Sequence, residues 1–129
     1  METKAVVRQT NPISDGAETD CPLTAALSVI GGKWSLIILY WLDDGRKRFN
    51  QLRKLMPAIS HKVLAATLRD LEREGVITRM VYPEVPPKVE YAISDYGRSV
   101  RPLIQAVRKW GRQHLGRKRD RRKAIQARE

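Results

Sequence analysis

Apolar positions recur at helical spacing through the first half of the chain. Pro22 opens a segment over residues 23–30, where its missing N–H costs nothing in a first helical turn, and Gly31-Gly32 closes it. A second helix is predicted over 33–42, with Trp34, Ile37, Ile38 and Trp41 on one face and Asp43-Asp44-Gly45 as the stop. A short third helix over 49–56 carries Phe49, Leu52 and Leu55/Met56 on one side before Pro57 breaks it. Ser60 then caps a fourth helix that runs to Glu74, and Gly75 ends that helix.

The period then changes. Residues 76–82 and 89–93 are rich in β-branched and aromatic side chains, and the intervening Pro83-Glu84-Val85-Pro86-Pro87-Lys88 predicts a hairpin with a stiff tip. Ser94 or Asp95 can cap a final helix on which Val100, Leu103, Ile104, Val107 and Trp110 keep helical spacing, kinked or divided near Pro102. The fold class is mainly α with one small β-hairpin. Residues 1–20 read as a flexible arm, 21–115 as the folded domain, and 116–129 as a basic tail, either frayed helix or disorder.

Composition narrows the chemistry. A formal net charge of +11 on 129 residues, with a pI near 10.3, asks for a polyanionic partner, nucleic acid or an anionic membrane surface. No apolar run is long enough to span a bilayer, and the opening stretch lacks the core of a secretion signal, so the expected compartment is the cytoplasm. Cys21, the single cysteine, excludes an internal disulfide, and no zinc-ligand spacing is present, so no metal or cofactor is expected. An enzyme built on Cys21 with His61 or His114 lacks a nucleophile motif, and the acidic residues form no paired-carboxylate or phosphate-loop pattern.

The third and fourth helices, joined by Pro57-Ala58-Ile59, form a helix-turn-helix candidate, and the hairpin after them supplies a wing. On the fourth helix Leu64, Leu68 and Leu71 share the buried face, while Lys62, Ala65, Ala66 and Arg69 project oppositely. Small Ala65 and Ala66 permit close approach to base edges, and Ser60, His61 and Lys62 lie at the end that enters a groove. Arg69 can reach guanine or phosphate. Arg46, Lys47 and Arg48, with Arg53 and Lys54, are phosphate candidates, and Lys88 is the wing contact.

The strings Cys21-Pro22, Gly31-Gly32-Lys33-Trp34, Arg48-Phe49-Asn50-Gln51-Leu52, Ile59-Ser60, Leu68-Arg69-Asp70-Leu71-Glu72-Arg73-Glu74-Gly75, Tyr82-Pro83-Glu84-Val85-Pro86-Pro87-Lys88-Val89-Glu90-Tyr91 and Trp110-Gly111 resemble HxlR-type winged helix-turn-helix regulators of the MarR-like group. The resemblance spans about residues 21–114. It implies a transcriptional regulator that binds double-stranded DNA as a homodimer, pairing through its first and last helices. Some members of this family sense oxidants or electrophiles through a cysteine at the place of Cys21, so Cys21 is either a sensor or a structural helix-start residue.

Three further alternatives stay open. Leu103, Val107 and Trp110 need a partner, either a second subunit or their own, and Trp34, Tyr40, Trp41 and Trp110 either fill the core or line a small-molecule effector pocket. The basic run over 117–123 also fits a nucleoid-type or RNA-binding protein that neutralises phosphates without reading bases.

Overall fold

The computed structural model describes residues 21–128, so the predicted arm over 1–20 lies outside the described residues. Two compact units divide at Arg98 and Ser99. The first contains α1 (Pro22–Ile30), α2 (Ser35–Asp43), α3 (Phe49–Leu55), α4 (His61–Arg73), β1 (Ile77–Tyr82) and β2 (Lys88–Ile93). A 3₁₀ turn (Gly97–Val100) leads into the second, which is the long helix α5 (Arg101–Ala127).

Pro22 stands in the first turn of α1, as its missing donor favours, and α2 leaves α1 at 74°. On α2 the buried side chains are Ser35, Ile38, Leu39 and Leu42, a stripe rotated from the predicted Trp34, Ile37, Ile38 and Trp41. Ile38 alone belongs to both sets. The segment from Leu36 to Leu42 is apolar throughout, so its pattern has no phase, and the packing of neighbours decides which face turns inward.

The core of the first unit gathers Ile38, Leu39 and Leu42 with Leu52 and Met56 of the α3 region, and Leu64, Leu68 and Leu71 of α4. Ile30 of α1, Ile59 in the turn, Val76 before β1, and Ile77 and Ile93 on the strands also belong to it. The turn between α3 and α4 is tight because the Ile59 N–H donates to the Met56 carbonyl at 3.0 Å while Ile59 plugs the core.

α4 ends in a Schellman motif. Gly75, at φ +81°, donates its N–H to the Glu72 carbonyl, and Val76 donates to the Leu71 carbonyl at 3.1 Å. Both Leu71 and Val76 are buried, supplying the apolar contact that accompanies this cap. The motif turns the chain directly from α4 into β1. β1 and β2 then pair antiparallel from Ile77 opposite Ile93 to Tyr82 opposite Lys88. Lys47 adds an isolated bridge to Tyr91 through hydrogen bonds of 3.0 and 2.8 Å, so the segment before α3 is tied to the hairpin.

Ser94 closes the hairpin base, donating its hydroxyl to the Gly75 carbonyl at 2.6 Å and accepting from the Gly97 N–H at 2.8 Å. Gly97 is required there, because a Cβ would lie 2.0 Å from the Val76 carbonyl oxygen. The predicted division near Pro102 occurs: a 3₁₀ turn precedes α5, and Pro102 falls within its first two positions. α5 itself is unbroken over 27 residues, roughly 40 Å at 1.5 Å per residue, and the basic stretch past residue 116 is helical to Ala127.

Candidate nucleic-acid interface

The N-terminus of α4 is fixed by Ser60, whose Oγ accepts the Val63 N–H at 3.1 Å. Leu64, Leu68 and Leu71 turn inward, leaving His61, Lys62 and Arg69 exposed and Ala65 and Ala66 half-buried. This is the division of faces that the sequence predicts. Among the described residues neither Lys62 nor Arg69 forms an ion pair, whereas Arg73 is held by Asp70 at 2.9 Å. Val63 is 42% exposed on the same outward side, an apolar surface that the pattern of leucines did not reveal.

His61 is not merely a side chain at a helix start. Its ring lies 4.5 Å from that of Phe49, inclined by 48°, and this contact joins the first residues of α3 and α4. Arg48 sits at the N-cap of α3, where its backbone N–H donates to Gln51 Oε1 at 2.7 Å and its side chain stays exposed.

Arg46 and Lys88, predicted as separate phosphate contacts, belong to one network. Arg46 Nη1 donates to Tyr82 Oη at 3.1 Å, and that hydroxyl donates to Glu90 Oε1 at 2.9 Å. Lys88 Nζ is 3.7 Å from Glu90 Oε2 and 4.8 Å from the centre of the Tyr82 ring. The Lys88 side chain is therefore folded back against the hairpin and only 30% exposed, with its charge partly offset by Glu90. Tyr82 and Glu90 face each other across strands two positions apart in register, which is why neither stood out as a functional residue in the linear sequence.

Cys21 is the N-cap of α1 and exposed. The Thr24 hydroxyl, and then the backbone N–H groups of Thr24 and Leu23, hold its thiol below the ordinary pKa because all three stabilise the thiolate. Of the aromatic residues expected on core faces, Trp34, Tyr40 and Trp41 are half-buried, while Trp110 is 64% exposed and stacks on His114 one turn along α5.

Known proteins place this arrangement in a family. Residues 29–119 match the model of the HxlR-like helix-turn-helix family. Over 97 residues the chain is 50% identical to YdeP, an HTH-type transcriptional regulator of Bacillus subtilis, covering 75% of this chain and 76% of that one. The solved structure of the HTH-type transcriptional regulator ytcD superposes with a TM-score of 0.72 at 48% identity, over 74% of this chain and 98% of that one. The redox regulator HypR in its oxidised form gives a TM-score of 0.70 at 44% identity, over 72% and 96% of the respective chains. The helix-turn-helix, the wing and these likenesses agree, and the chain belongs to the HxlR-like helix-turn-helix family of DNA-binding transcriptional regulators.

Proposed function

We propose that the protein binds an inverted-repeat operator as a homodimer, each α4 lying in a major groove and each hairpin resting on the adjacent backbone. The observation that carries this reading is the split of α4 into a leucine face and an outward face of Lys62, Ala66 and Arg69 beside a capped N-terminus. Lys62 and Arg69 supply hydrogen-bond donors for base edges and phosphates, and Ala65, Ala66 and Val63 offer apolar contact to thymine methyls. Arg46 and Arg48 contact phosphates, with Lys88 held ready on the wing. Ser60 and His61 complete the groove-entering end.

Pairing through the first and last helices is supported by exposed Leu23 and Leu27 on α1 and by Leu103, Val107 and Trp110 on one stripe of α5. Such side chains gain roughly 25 cal/mol per Å² when covered. Twofold symmetry then sets half-sites about 10 base pairs apart, and an operator overlapping a promoter gives repression. Cys21 makes the binding responsive to thiol-reactive electrophiles, its thiolate adding to an electrophilic carbon at the end of α1. HypR, a redox regulator, is similar in fold to this chain.

Selection from a randomised duplex library at near-physiological salt tests the reading. An enriched inverted repeat is expected. Tight, salt-sensitive retention without enrichment, whether Cys21 is reduced or alkylated, would refute it and favour a nucleoid-type or RNA-binding protein. Loss of operator binding on alkylation, abolished by Cys21→Ser, is the expected sign of the switch.

A further inference from the structure

The charge of this protein is concentrated in one element. α5 holds ten Lys and Arg residues against one acidic residue, Asp120, so nine of the chain's eleven net positive charges lie on that helix. The unit that contains α4 and the hairpin is nearly balanced by comparison. Six of the seven residues over 117–123 are basic. The family match ends at residue 119, and ytcD, matched over 98% of its length, covers only 74% of this chain.

We propose that the last turns of α5, from Arg117 onward, form a second DNA-contacting surface that grips the phosphate backbone of duplex DNA. The proposal rests on the DNA-binding reading above and adds to it a partner for a segment that the helix-turn-helix does not use. Leu103, Val107 and Trp110 lie on one stripe of α5, and the same stripe is continued beyond His114 by Arg117 and Arg121. Beyond His114 that stripe turns from apolar to basic before Ile125, so Arg117 and Arg121 do not belong to its apolar part.

The helix is also built at a cost that a polyanion removes. Arg117 with Arg121, Lys118 with Arg122 and Arg119 with Lys123 are like-charge pairs four residues apart, each unfavourable in an isolated helix. Among the described residues none of Arg117, Lys118, Arg121 and Arg122 has an ion pair, and all four are exposed. Phosphates of a duplex neutralise such charges and release condensed counterions. An anionic membrane fits less well, since a surface-lying helix needs an apolar face. Past His114 the only large apolar side chains are Leu115 and Ile125, and the basic residues point around the whole circumference.

The test compares the full chain with its Arg117→Gln/Lys118→Gln/Arg121→Gln/Arg122→Gln variant on a long duplex of arbitrary sequence over a salt series. At about 0.9 per phosphate contact, the plot of log affinity against log salt becomes shallower by about 2 to 4 in the variant, with helix content preserved by circular dichroism. The matching substitution of the three arginines by lysine keeps the native slope. An unchanged slope in the folded glutamine variant overturns the proposal. So does a variant that loses binding to phosphatidylglycerol vesicles while its DNA slope stays native, which would assign the surface to membrane. The two readings fail separately: a native chain that selects no site yet shows the reduced variant slope overturns the operator reading alone, and site selection with an unchanged slope overturns this inference alone.

Discussion

Replacing Gly75 by alanine isolates the backbone cost of the turn that carries α4 into the wing. Gly75 adopts φ +81°, and a Cβ built there meets nothing within 4 Å, so the added methyl brings no clash and no packing. An L-residue held in the left-handed region costs roughly 1–2 kcal/mol. Against this, alanine narrows the unfolded ensemble and returns about 0.4–1 kcal/mol. The net loss expected for Gly75→Ala is therefore about 1 kcal/mol. Gly97→Ala is the paired control, since its Cβ would fall 2.0 Å from the Val76 carbonyl oxygen and 2.9 Å from Ile93 Cγ1. Backbone must move there, and the cost reaches or passes the top of the roughly 1–3 kcal/mol typical of overpacking. Urea unfolding at one fixed protein concentration reads both, as a fall in midpoint at unchanged slope. Equal losses for the two variants, or a Gly75→Ala protein more stable than the native one, would refute the assignment of one site to backbone conformation and the other to close contact.

Leu68→Ala, which empties a fully buried site on α4, should cost about 2–5 kcal/mol by denaturant unfolding, whereas Val63→Ala on the outward face should stay within about 0.5 kcal/mol. Lys88→Ala should weaken binding to operator and random duplex alike and lower the salt slope by less than the ~0.9 of a full phosphate contact, since Glu90 already offsets part of its charge. Alkylation of Cys21 by iodoacetamide should follow thiolate formation at lower pH than an ordinary thiol, and Thr24→Val should move that midpoint upward by removing the largest cause of the lowering. A midpoint unaffected by Thr24→Val would show that the hydroxyl does not stabilise the thiolate.

The parts of this fold that were legible in the sequence are those with a strong local signature. Ser60, three residues before an N–H it caps, and Gly75, at the left-handed stop, bracket α4 as their chemistry demands. The leucine spacing on α4 gave its two faces. α2 resisted because a helix apolar on nearly every side has no direction in its pattern, and its buried Ser35 could not be anticipated from spacing. The Arg46, Tyr82, Glu90 and Lys88 network was hidden because its hairpin members meet across the strand register and Arg46 joins them from the segment before α3, which is bridged to β2 through Lys47 and Tyr91. A single-residue bridge leaves no strand pattern to read. Beyond residue 116 composition allowed either frayed helix or disorder. The observed helix follows the good helix propensity of arginine, lysine, glutamine and alanine, which outlasts their mutual repulsion.

The central claim is that α4 reads bases while the rest of the surface holds phosphates. The most direct measurement is the ratio of affinities for a selected operator and a scrambled duplex at one salt concentration, taken for the native chain and for Lys62→Ala/Arg69→Ala. The native ratio should be about a thousandfold or more, and the double variant should lose most of it while keeping much of its affinity for scrambled DNA. A ratio left intact in the variant would contradict the claim and move base recognition away from the outward face of α4.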